Sequence, residues 1–108
     1  MKAIQLKAPA SLDNLTLVDL PDPAAPGPGE IAVRLRASSL NYHDYAVVKG
    51  MIPTAEDRIP MSDGAGEVTA VGEGVSDFAV GDLVVSTFFP DWLDGVPPEG
   101  GFKGVPGD

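Results

Sequence analysis

Residues 59–85 read IPMSDGAGEVTAVGEGVSDFAVGDLVV, and the spacing of glycine and valine within them decides the fold. Gly64 and Gly66 permit either a close backbone approach or a positive φ. Beyond them Val68 and Ala70 fall on one face of a strand, with Glu67 and Thr69 on the other. Gly72 and Gly74 allow a reversal, Val75 and Phe78 are expected to add core, and Gly81-Asp82 reads as a tight connection into the apolar strand Leu83-Val84-Val85. Short strands punctuated by glycine in this way suit a small β-barrel.

Working outward towards the amino terminus, Ile31, Val33 and Leu35 alternate with Ala32, Arg34 and Arg36, the period-two pattern of a half-buried strand. Ala3–Leu6 and Leu15–Asp19 read as two further strands, with Asp13-Asn14 suited to the turn of a hairpin. Between them and the Ile31 strand, PDPAAPGPGE (21–30) is too rich in proline and glycine to continue a ladder and reads as a stiff surface connection. After Ser38-Ser39-Leu40, Asn41 is placed to cap a short helix, Asp44 at N3 complements its free amides, and Gly50 can end it. Residues 51–60 form a polar loop, and the run after Val85 has neither helical nor strand period and reads as a loop. Asp108 follows no capped element, so a fragment boundary is the expectation there.

The chain has 108 residues, a hydrophobic fraction of 44% and a mean hydropathy of +0.08. That is enough for one compact domain and too little for a substrate domain plus a cofactor domain. With 13 Gly and 11 Pro, turns outnumber long helices and a mainly β fold is favoured. A net charge of −9 repels phosphate backbones and anionic bilayers, so neither nucleic acid nor a membrane is expected as a partner. Absence of cysteine removes disulfides and thiolate metal sites from consideration. The amino terminus carries no apolar leader, and a soluble cytoplasmic protein is the default expectation.

At Pro60, Gly64-Ala65-Gly66, Val68, Val71-Gly72, Gly74-Val75, Phe78 and Gly81-Asp82-x-Val84 the chain resembles the amino-terminal, alcohol dehydrogenase-like domain of the medium-chain dehydrogenase/reductase superfamily. The resemblance runs from the first strand to about Val85. It implies a mainly β, GroES-like (chaperonin-10-like), partly open barrel with one short helix near 42–49, spanning residues 1–108 as an incomplete substrate-side domain. It also implies that the nucleotide-binding domain lies outside this chain.

In the zinc-using branch of that superfamily the first catalytic cysteine falls on Asn41, the proton-relay hydroxyl on His43, and the second ligand, a histidine before a carboxylate, on Ser62 ahead of Asp63. Neither metal ligand nor the relay hydroxyl is kept, and the cysteine-rich structural lobe expected after Val85 is missing too. The resemblance therefore points to the zinc-independent branch of quinone oxidoreductases and enone or enoyl reductases. There a hydride passes from NADPH (or NADH) to a quinone, an activated alkene or a carbonyl compound, and no metal is required. Zinc-free relatives often carry a tyrosine where this chain has Ala46, so that tyrosine's role has no carrier here.

The candidate site residues follow. Asn41 offers a donor and an acceptor to the nicotinamide carboxamide or the substrate carbonyl, or serves only as a helix cap. Tyr42 and Tyr45 can stack on a flat ring or fill core, and Tyr42 is the second candidate for cofactor contact. His43, the only histidine, either donates a proton during reduction or packs as a surface residue. Asp63 is read as a structural carboxylate bonded to backbone in preference to a catalytic base, and Phe88, Phe89 and Trp92 either wall a substrate or cover the barrel mouth. Gly72-Glu73-Gly74-Val75-Ser76-Asp77 begins like a phosphate-binding loop, but it lacks a third glycine and a following helix, so it reads as a strand turn. Without its nucleotide domain the chain is expected to be inactive alone and to self-associate through an exposed strand edge. The other readings are a non-catalytic GroES-like binding or assembly module and an inactive folded fragment.

Overall fold

The structure is a computed structural model that describes residues 1–99 and 104–107. Its elements run β1 (Lys2–Leu6), a 3-10 helix (Leu12–Asn14), β2 (Leu15–Asp19), β3 (Ile31–Ala37), α1 (Tyr42–Val48), β4 (Ala65–Val71) and β5 (Leu83–Val85). They form two sheets, β1-β2 and β3-β4-β5, all pairings antiparallel. The chain divides into one unit of Met1–Leu20, Ser39–Asp63 and Thr87–Asp108, and a second of Pro21–Ser38 and Gly64–Ser86.

In the first unit β1 and β2 pair from Lys2↔Asp19 to Leu6↔Leu15. The expected hairpin is present, but a 3-10 helix replaces a tight turn: Ser11 caps it by accepting the Asp13 N–H at 3.2 Å. Leu6, at the end of β1, exchanges backbone bonds with the 57–58 segment, donating to the Arg58 carbonyl and accepting from Asp57 N–H. Leu6 also joins Val47 and Val48 in the buried core, with Ala10 and Ile52 packed against it. The helix presents Asp44, Ala46, Val47 and Val48 inward, so Ala46 belongs to the packed face. It stops where Gly50 takes φ +70 and donates to Val47 O.

In the second unit β4 alternates as expected, Gly66 and Val68 buried and Thr69 exposed. The glycines act by closeness: a Cβ on Gly66 would sit 2.3 Å from Arg34 O, and one on Gly72 1.8 Å from Gly27 O. Gly72 N–H bonds Glu30 O and Gly29 N–H bonds Glu73 O, which stitches the end of the proline-rich connection to the β4 reversal. Two expectations need correction. The inward alternation of β3 fails at Leu35, 67% exposed, because bulges flank it and its partner Gly66 has no side chain to cover it. Phe78 is exposed because it lies in the loop between Val71 and Leu83 rather than on a strand. On β5 only Val84 is half-buried, and Leu83 and Val85 are exposed.

Candidate active site

The corner that leads into α1 carries the polar chemistry of the first unit. Asn41 has extended backbone (φ −104, ψ 157) and forms a capping box with Asp44, which serves amides that the first turn of a helix leaves without partners. Asp44 is 3% exposed, and its carboxylate accepts the Asn41 N–H at 2.8 Å and the Ser62 N–H at 2.7 Å. One buried charge therefore fixes both the helix start and a segment eighteen residues further on. Two charge-assisted bonds from backbone amides are what make its burial tolerable.

A second carboxylate completes the corner. Asp63 accepts from Ser39 N at 2.8 Å, Ser39 Oγ at 2.5 Å and Asn41 Nδ2 at 3.1 Å. Asn41 Nδ2 also lies 3.2 Å from Oγ of the fully buried Ser62. Met61, beside them, takes φ +100, a left-handed conformation that a side chain adopts only when its surroundings impose it.

His43 projects from the first turn of α1, half-buried. Its ring meets Phe88 edge-on with centroids 5.1 Å apart; Phe88 meets Phe89 at 4.7 Å, and Phe89 meets Trp92 at 5.9 Å. The Trp92 Nε1–H donates to Gly95 O at 3.1 Å. Tyr42 is 74% exposed and stands 6.1 Å from the ring of Tyr45, itself 47% exposed. The expectation that one tyrosine fills core is therefore corrected: both rings lie off the packed face of the helix. Beside the corner lies an apolar cavity of about 540 Å³, walled by Ile4, Leu12, Leu40 and Tyr45 among others and touched by Asn41 and Asp44 at its polar edge.

The described residues do not by themselves assemble a catalytic zinc site. Zinc needs three or four nitrogen, sulfur or carboxylate donors converging on one point, and among the described residues no group of three His, Cys, Asp or Glu is so placed. Nor does the Gly72–Ser76 turn fit a pyrophosphate, since among the described residues no helix follows it.

The sequence profile of the alcohol dehydrogenase GroES-like domain matches residues 27–102. The chain belongs to that family. Within the wider superfamily, a zinc-type alcohol dehydrogenase-like protein of Schizosaccharomyces pombe is 41% identical over 92 residues, 83% of this chain and 27% of the relative. An NAD-dependent alcohol dehydrogenase superposes with a TM-score of 0.71 at 42% identity, over 79% of this chain and 25% of its own. The quinone oxidoreductase of Escherichia coli in complex with NADPH also gives 0.71, at 29% identity, over 79% and 26%. The chain thus spans about a quarter of the length of these relatives.

As a GroES-like domain of an oxidoreductase superfamily, the chain is mainly β with one short helix at 42–48 and sheets that are not closed. Its site residues fall into two groups. Asn41, Ser62 and Asp63 are drawn into one hydrogen-bonded cluster, and His43 is drawn to Phe88. Tyr42 stands apart, with its ring beside that of Tyr45. Sequence reasoning missed Ser39 and Met61; a serine and a methionine in loops carry no periodic or motif signal. Asp44 was readable as a helix cap, but its bond to Ser62 was not.

Proposed function

We propose that this domain is the substrate-side part of a zinc-independent, NAD(P)H-dependent reductase that delivers hydride to a quinone, an enone or a related carbonyl compound. The nucleotide-binding fold, on this reading, lies outside residues 1–108. The observation that carries the proposal is the Asn41–Ser62 hydrogen bond at 3.2 Å: the two positions that correspond to metal ligands in zinc-using relatives are bonded to each other. The reduced nicotinamide, when bound, supplies the hydride; NADPH is proposed ahead of NADH, and the similar structures include both an NADPH-complexed quinone oxidoreductase and an NAD-dependent alcohol dehydrogenase.

Asn41 and Tyr42 are assigned to the nicotinamide end of the cofactor. The side chain of Tyr42 is largely open to solvent, as a stacking face must be before a planar ring covers it. His43 is assigned as the proton source for the reduced substrate, at its oxygen or at the carbon next to the carbonyl, and the Phe88 edge limits the ring positions open to it. A cytoplasmic location is part of the proposal; among the described residues no helix is long and apolar enough to cross a membrane. Self-association is proposed through β5, which among the described residues pairs on one side only and carries exposed Leu83 and Val85. Light scattering on residues 1–108 is expected to show a concentration-dependent rise in mass, and a strict monomer would remove this element.

The test is NADPH oxidation by the complete protein with a quinone and with an enone. Turnover is expected to be insensitive to chelators and absent from purified residues 1–108. Chelator inhibition reversed by zinc would overturn the metal-free reading, and robust turnover by residues 1–108 would overturn the division of labour. In the complete protein His43→Gln is expected to lower turnover by about tenfold or more; an unchanged rate assigns His43 to packing.

A further inference from the structure

The Asn41 amide is oriented by its neighbours. Its Nδ2 lies 3.1 Å from Asp63 Oδ2 and 3.2 Å from Ser62 Oγ. A carboxylate that already receives Ser39 N–H and Ser39 Oγ–H is an acceptor with nothing to give, so the Asn41 atom facing it must be the nitrogen. Turning the amide over would set oxygen against oxygen. With two hydrogens on Nδ2 and two acceptors in reach, the donor capacity of Asn41 is taken up within the protein. What the side chain keeps is on Oδ1, which has two lone pairs and gives one to the Asp44 amide in the capping box.

We propose that Asp63 is a positioning residue that locks Asn41 so that its side chain meets a ligand as a hydrogen-bond acceptor only. The inference rests on the reading of Asn41 as a ligand-facing group and narrows it. The partner of Asn41 is an N–H donor, such as the primary amide on a nicotinamide ring. A substrate carbonyl, or an oxyanion forming from it, needs a hydrogen that Asn41 has already committed, so that task falls to another group. Three observations on different atoms converge here: the pairing of Asp63 with Asn41, the holding of Asp63 by Ser39, and the position of Asn41 at the polar edge of an otherwise apolar cavity.

Two measurements on the complete protein test this. The first needs no ligand: isotope-edited NMR follows hydrogen exchange of the Asn41 side-chain amide. Slow exchange is expected in the wild type and exchange about tenfold or more faster in Asp63→Asn, the scale expected for loss of a charge-assisted bond, with backbone dispersion retained. Equal exchange in the two proteins overturns the positioning role. The second compares binding of NADP+ with its nicotinic acid analogue, in which a carboxylate replaces the amide. The wild type is expected to prefer the amide by about tenfold or more, and Asp63→Asn to compress that preference to within about threefold. A preference that survives intact in Asp63→Asn overturns the inference. No binding of NADP+ by the wild type, with Asn41 still protected from exchange, overturns the functional reading and leaves the orientation of Asn41 standing. Should Asp63→Asn fail to fold, Ser39→Ala loosens Asp63 from behind and is read in the same way, with a smaller shift in the same direction.

Discussion

The corner at 39–44 and 61–63 and the sheet β3-β4-β5 hold their backbones in place by opposite means. At the corner, carboxylates reach across to amides: Asp44 takes two backbone N–H groups and Asp63 one, plus two side-chain donors. In the sheet and at its edge, backbones approach because side chains are missing, at Gly66 on β4 against Arg34 and at Gly72, just past β4, against Gly27 in the connection before β3. A structure built on added groups can be trimmed in steps. One built on omitted atoms tolerates no addition, and the two regions should therefore respond to mutation on different scales.

The largest effect is expected at Gly72. A methyl group there would overlap Gly27 O at 1.8 Å and press on Glu30 O at 3.0 Å, both backbone atoms that cannot rotate aside. Gly72→Ala is expected to cost about 3 kcal/mol or more, at or beyond the upper end for overpacking, and to be read as loss of the cooperative thermal transition or a large fall in its midpoint. A variant that melts like the wild type would show that the Gly27–Gly72 approach is not obligatory. Asp44→Asn comes next. It keeps one acceptor oxygen and loses the charge, leaving one of two buried amide bonds weakened or unmade, for about 2 kcal/mol; denaturant titration checks this, and a change under about 0.5 kcal/mol would deny the corner its anchor. Gly74→Ala sharpens the comparison from the other side. Gly74 has φ +79 and nothing within 4 Å of an added Cβ, so only the conformational penalty of about 1 kcal/mol applies. If it proves as damaging as Gly72→Ala, closeness is not what distinguishes the two glycines.

That contrast also explains what the sequence discloses. The order of the strands, the capped helix and its end at Gly50 are local matters, written in alternation at 31–36, in Asn41 with Asp44, and in glycine placement. Leu35 was misread because alternation assumes unbroken pairing, and bulges between Ala32 and Val33 and between Leu35 and Ala37 are set by the partner strand. Phe78 was misread because hydrophobicity alone does not say whether a residue stands on a strand. At the site, Asn41 and Asp63 could be singled out, but their bond joins positions 22 residues apart, and no local pattern encodes a meeting of that kind. The contact of His43 with Phe88 spans a longer stretch still and was invisible for the same reason.

The link from Asp44 to Ser62 carries a consequence for the order in which the protein folds. Helix α1 has seven residues, about two turns, and a helix of that length does not persist alone in water because its nucleation cost is not recovered. Bringing Ser62 N–H to Asp44 closes a loop of about eighteen residues, whose entropic cost grows only slowly with length but must be met before the bond forms. Each event supplies what the other lacks: the helix holds Asp44 where the returning chain can find it, and the returning chain stabilises the helix. In native-state hydrogen exchange the amides of Ser62 and of α1 should consequently open together, as one cooperative unit.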